Sequence, residues 1–100
     1  MYDRMNLTKF KKLGDLAPDA FRGFVAFDEA AFKDGAIPLK YKELMAVAVA
    51  LTTQCPYCIE IHSNKAKKAG ATEQELAETT LVTAALRAGG AVTHGTHTLG

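Results

Sequence analysis

Residues 44–51 read Leu-Met-Ala-Val-Ala-Val-Ala-Leu, an apolar run with no polar position on any side of a helix. Pro38 upstream and the break Gln54-Cys55-Pro56 downstream bound a predicted helix from Pro38 to about Thr53. A helix that is apolar all round has to be covered all round, by the rest of the fold or by a second subunit, so this segment is expected to be the central element. It is much shorter than the ~20 residues needed to cross a bilayer, and no membrane span is expected.

Working outward, Pro18 and Asp19 suit the first turn of an earlier helix. Phe21, Phe24, Val25 and Phe32 follow at helical spacing, with Asp28 interrupting the stripe. Gly35, in Lys33-Asp34-Gly35, is expected to end that helix in the left-handed conformation. On the other side, Pro56 opens a third helix running to Gly70, with Lys65, Lys67 and Lys68 at its negative end. Thr72-Glu73-Gln74-Glu75 has the spacing of a capping box and starts a fourth helix directed toward Gly89-Gly90. Residues 91–100 add a short helix or fray. Without an alternating strand pattern, the expected fold is all-α, a single-domain helical bundle with residues 1–15 as an N-terminal segment and 16–100 as the core domain.

At 100 residues the chain has room for one core. Hydrophobic residues at 48% and charged residues at 23% place it among globular proteins. A net charge of +1 provides no basic field for nucleic acid. Residues 1–12 hold no apolar signal region or cleavage site, so a cytoplasmic location is expected. Two cysteines three apart in such a protein point to catalysis or metal binding more than to a structural staple.

Cys55, Cys58 and His62 fall at i, i+3 and i+7, along one stripe of the third helix. Glu43, on the preceding helix, comes roughly level with them if the two helices pack antiparallel, at ~1.5 Å rise per residue. A helix N-terminus, a nearby histidine and a second thiol all favour ionising a cysteine. An acid beside the histidine would orient it, completing a nucleophile, base and orienter set. Such a set suits peroxide reduction, in which a thiolate is oxidised to a sulfenic acid that condenses with its neighbour to a disulfide.

Other readings compete. Half a zinc site, completed by His62 with His94 or His97, is disfavoured because no second CxxC is present and His62 already shares the cysteine stripe. Attachment of c-type haem needs a histidine where Ile59 stands, and a thioredoxin-type site needs a strand where residues 44–51 look helical. Glu43 alone would pass as an ordinary helix-start glutamate. His94 and His97 read as surface histidines near a chain end. Tyr57 is assigned a modest part in shaping access, the three lysines a solvated face, and the phenylalanines a place in the core or along an apolar channel.

Glu43, Cys55-Pro56-Tyr57-Cys58 and His62, together with Asp34-Gly35-Ala36-Ile37-Pro38, Lys42-Glu43-Leu44 and Ala69-Gly70-Ala71-Thr72, resemble the AhpD-like alkyl hydroperoxidases of the carboxymuconolactone decarboxylase superfamily over roughly residues 18–94. The resemblance implies a helical bundle forming trimers or hexamers through its long helices. It implies Cys58 as the attacking thiolate, Cys55 as its resolving partner, and Glu43 and His62 as a proton relay. The implied activity is that of a hydroperoxide-reducing enzyme drawing electrons from a dithiol such as a thioredoxin or lipoyl group, with no cofactor and no metal. Helix position alone leaves the order of the cysteines open, since Cys55 is nearer the helix start and Cys58 nearer His62. A redox-sensing module without turnover is the alternative, as is an enzyme like the decarboxylase branch, although that branch typically lacks the cysteine pair.

Overall fold

The computed structural model describes residues 2–100, and among them every regular element is helical. A 3-10 turn at Arg4–Lys9 leads into α1 (Phe10–Leu16). There follow α2 (Pro18–Phe32), α3 (Leu39–Thr53), α4 (Pro56–Lys68) and α5 (Glu73–Gly95), with a last 3-10 turn at Thr96–Thr98. None of these helices is long and apolar enough to cross a membrane.

Local chemistry accounts for most of the boundaries. Asp34 Oδ1 accepts the Leu39 backbone N–H and so satisfies one orphan donor of α3. Gln54 takes a left-handed conformation, φ 56°, which ends α3 and swings the chain into α4. Cys55 is the N-cap of α4, with Pro56 in the first turn. Gly70, at φ 100°, supplies the left-handed residue after α4 that a side chain would resist. The capping box of α5 closes in both directions: Glu75 N–H donates to Thr72 Oγ1 at 3.0 Å and Thr72 N–H to Glu75 Oε1 at 2.9 Å.

Three boundaries differ from expectation. Residues 10–16 form a helix of their own, α1, in what reads as an N-terminal segment. Helix α2 stops at Phe32, where Lys33 turns extended at ψ 143°; Gly35 is not in the left-handed region, because the turn is already made and Asp34 is capping α3. Helix α5 continues through Gly89-Gly90 to Gly95. Each glycine costs a helix about 1 kcal/mol, but Ala84, Ala85, Ala88 and Ala91 around the pair are the best helix formers.

Helix α3 packs against α4, α5 and α2, which makes it the central element. Its inward residues Glu43, Val47 and Ala50 are buried, and Ala66 of α4 and Thr83 of α5 close the same seam. Lys40 bridges to Glu75 at 2.9 Å at one end, and Arg87 donates to the Thr52 carbonyl at 2.7 Å near the other. The outward residues Tyr41, Met45 and Val49 of α3 remain exposed, as do Val82 and Leu86 of α5.

Candidate active site

The site lies on the seam between α3 and α4. The left-handed bend at Gln54 runs α4 back along α3, and His62, two turns into α4, meets Glu43 in the second turn of α3. His62 Nδ1 and Glu43 Oε1 are 2.6 Å apart, with the glutamate side chain 5% exposed and the histidine 19%. A buried carboxylate at this distance fixes the ring orientation and presents the other imidazole nitrogen to its surroundings. Phe32, the last residue of α2, stacks on the opposite side, its ring 11° from parallel with His62 and 5.3 Å away.

One turn up α4, the two thiols are free and half-buried, with their Sγ atoms 2.8 Å apart. Cys55 sits at the N-cap and its sulfur also accepts the Cys58 N–H at 3.3 Å. The hydrogen bond from the Cys58 thiol, reinforced by that N–H, pulls the Cys55 pKa below its ordinary value. Cys58 is driven the other way, up to about 11, because it holds the proton it donates to Cys55 and is more deeply buried. Of the two thiols, Cys55 is therefore the one that ionises more readily. The open cleft belongs to Cys58, which with His62, Phe32, Ala46, Val49, Ala50 and Thr53 lines a cavity of about 280 Å³.

All four residues singled out from the sequence thus lie together. Among the described residues no three His, Cys, Asp or Glu side chains converge as a metal-binding group. His94 and His97 stand exposed at the end of α5, their ring centroids 5.6 Å apart. Tyr57 is tied to the N-terminal segment: its hydroxyl accepts the Asp3 N–H and the Asn6 side-chain N–H, both at 2.9 Å, and its ring packs on Tyr2 at 4.7 Å. Glu60 binds the same segment through Tyr2 Oη and through Arg4 at 2.7 Å. Phe32 is the site residue that sequence reading does not single out, because it is one of five phenylalanines and its stripe reads as core.

An all-helical fold with a CxxC at a helix start, backed by a buried Glu–His pair, defines a class of helical dithiol proteins. The chain belongs to the carboxymuconolactone decarboxylase family, whose model matches residues 18–99. It is 45% identical over 76 residues to protein 4 of the cox locus of Paracoccus denitrificans, covering 76% of this chain and 68% of that one. A protein of Cupriavidus necator is 39% identical over 70 residues, which span 70% of this chain and 62% of that protein. Among solved structures, a carboxymuconolactone decarboxylase family protein from Legionella pneumophila superposes with a TM-score of 0.79 at 38% identity, over 83% of this chain and 74% of that one. A protein from Methanobacterium thermoautotrophicum gives 0.81 at 32% identity, over 86% and 97%.

Proposed function

We propose that the chain is a thiol-dependent peroxidase that reduces hydroperoxides through a Cys55–Cys58 dithiol and disulfide cycle. The observation that carries this reading is the 2.8 Å thiol pair beside a cleft shared with a carboxylate-oriented histidine. Cys58 faces the cleft and attacks the peroxide oxygen: an S–O bond forms, the O–O bond breaks, and the proton Cys58 gives up ends on the leaving alcohol. The high proton affinity of Cys58 makes its thiolate scarce but strongly nucleophilic. The Cys55 thiolate then attacks the sulfenic sulfur, and hydroxide leaves as water after taking one proton from solvent. In the reducing step a dithiol donor, of the thioredoxin or lipoyl kind, attacks Cys58 and expels Cys55, whose lowered pKa makes it the better leaving group. Thiols kept reduced in this way suit the cytoplasm.

The enzyme in this reading is a homo-oligomer. The chain exposes 7566 Å², whereas a compact monomer of this mass exposes about 5,500 Å². The excess, about 2,000 Å² per chain, is of the size that obligate interfaces remove. The radius of gyration, 16.7 Å, likewise exceeds the roughly 13 Å of a compact 100-residue domain.

Trapping tests the chemistry. Reduced Cys55→Ser protein treated with a hydroperoxide and a sulfenic-acid probe should carry the adduct on Cys58, and the unmodified protein should consume hydroperoxide when supplied with a dithiol. Reduced protein that neither forms the disulfide nor consumes hydroperoxide overturns the proposal.

A further inference from the structure

The Glu43–His62 pair stands between two cavities whose linings share no residue. His62 lines the dithiol cleft of about 280 Å³. Glu43 lines a second cavity of about 340 Å³, together with Leu39, Lys65, Lys68 and Ala69. Glu43 is buried, yet among the described residues no buried side-chain oxygen lacks a hydrogen-bond partner. Oε1 faces His62, while Glu43 itself lines the second cavity, so the residue meets the histidine on one side and that cavity on the other.

The charged groups around this cavity can be sorted. On α3, Lys40 is paired with Glu75, and Lys42 donates to the backbone carbonyls of Ala31 and Lys33. On α5, Glu75 is held by Lys40 and by the Thr72 N–H. Between α2 and α3, Asp34 caps Leu39. Lys65 and Lys68 of α4 make no ion pair among the described residues, and they line the cavity together with Glu43, whose Oε1 is turned to His62.

We propose that this second cavity is the proton port of the dithiol site, through which water between Lys65 and Lys68 exchanges protons with Glu43 and, by way of His62, with the reacting sulfurs. The inference rests on the peroxidase reading above. That chemistry takes up one proton per disulfide formed: thiolate, thiol, hydroperoxide and one proton give disulfide, alcohol and water. A hydroperoxide with an apolar body fills the dithiol cleft and excludes water from that side, since Phe32, Ala46, Val49 and Ala50 line it. The proton then has to arrive from behind, and the pair that orients His62 is also the partition that leads there. Lys65 and Lys68 act as positioning residues, their ammonium groups ordering the water that lies beside Glu43.

Two variants test the port in the full chain. Ala69→Leu should narrow it, lowering kcat by about three- to tenfold, a fraction of the roughly 10²- to 10⁴-fold that positioned proton transfer supplies. KM for a hydroperoxide such as cumene hydroperoxide should not change, and the solvent deuterium isotope effect on kcat should grow. Lys65→Met with Lys68→Met should lower kcat in the same direction by removing the cations that order that water, and arginine at both positions should restore it. Helical circular dichroism and the rate of thiol alkylation check that each variant keeps its fold and dithiol. If kcat and its isotope effect are unchanged in both variants, the port is overturned. Glu43→Gln separates the two ideas. Loss of turnover in Glu43→Gln with neutral port variants sinks the port alone, whereas full turnover in Glu43→Gln sinks the relay on which it rests.

Discussion

Where α3 meets α4, a carboxylate, an imidazole and two thiols are placed to within hydrogen-bond distance and half or wholly buried. On the opposite face of α3, and on α5 beside it, Tyr41, Met45, Val82 and Leu86 lie open, each more than 45% exposed. The two faces belong to the same helix and have similar composition. What separates them is the neighbour: the inner face has α4 folded back on it by the Gln54 bend, whereas the outer face has no covering element among the described residues. A polar site needs a partner for every buried group, and the hairpin supplies it locally. An apolar face needs only area, and a second copy can supply that. The seam is thus completed within the single chain, while in the proposed homo-oligomer the outer face is covered by association.

The largest effect expected at the seam comes from Cys58→Ser. Hydroperoxide consumption with a dithiol donor should fall by on the order of 10³-fold or more, because the cleft then holds no nucleophile. Glu43→Gln should lower it by roughly 10²-fold, with helical content retained, since the imidazole keeps a hydrogen-bond partner but loses the charged one. Retained activity in either variant would break the assignment of the chemistry to the seam. At the outer face, Val82→Glu with Leu86→Glu should split the oligomer, because an unpaired carboxylate in an apolar contact costs several kcal/mol. Sedimentation of the unaltered chain as a monomer at micromolar concentration would break the comparison itself.

A subtler effect concerns the coupling of the thiols. Cys58 is held at about 11 first by its hydrogen bond to Cys55 and then by burial. Cys55→Ser removes the thiolate whose charge retains the Cys58 proton, so the pKa of Cys58 should fall toward the ordinary thiol value of about 8.5. Conversely, Cys58→Ala removes the donor to Cys55 and should raise the pKa of Cys55. Rates of iodoacetamide alkylation against pH read both shifts, and an unmoved Cys58 profile in Cys55→Ser would show that burial alone sets it.

The seam was also the part legible in the sequence. Glu43, Cys55, Cys58 and His62 could be placed level because a proline and a helix break fix where α4 begins, and rise per residue does the rest. The capping box at Thr72 and the left-handed Gly70 gave the start of α5 and the end of α4 for the same reason: the signal is local. Phe32 was hidden because stacking on His62 depends on how α2 crosses α3, and nothing in its own stripe distinguishes a ring on an imidazole from a ring in a core. The N-terminal hold on Tyr57 joins residues more than 50 positions apart, which no periodicity reports. The order of the thiol pKa values needed the sulfur separation and the Cys58 N–H, neither visible in spacing.

Gly89 and Gly90 give the smallest expected effect and locate the outer face more finely. The sequence pattern points to the pair as the end of the helix, yet α5 runs through it, and among the described residues nothing beyond the adjoining residues and the helix's own backbone lies within 4 Å of where a Cβ would stand on either. Within one chain, then, Gly90→Ala has only the helix to act on, and it should raise stability by about 0.5–1 kcal/mol through the lower entropy lost on folding. A backbone packed closely against the pair by a second copy would reverse the sign, since the added methyl would meet it. The midpoint of urea unfolding, measured at several protein concentrations, separates these outcomes. A gain independent of concentration leaves this part of α5 outside the interface, and a loss that grows on dilution puts the glycine pair inside it.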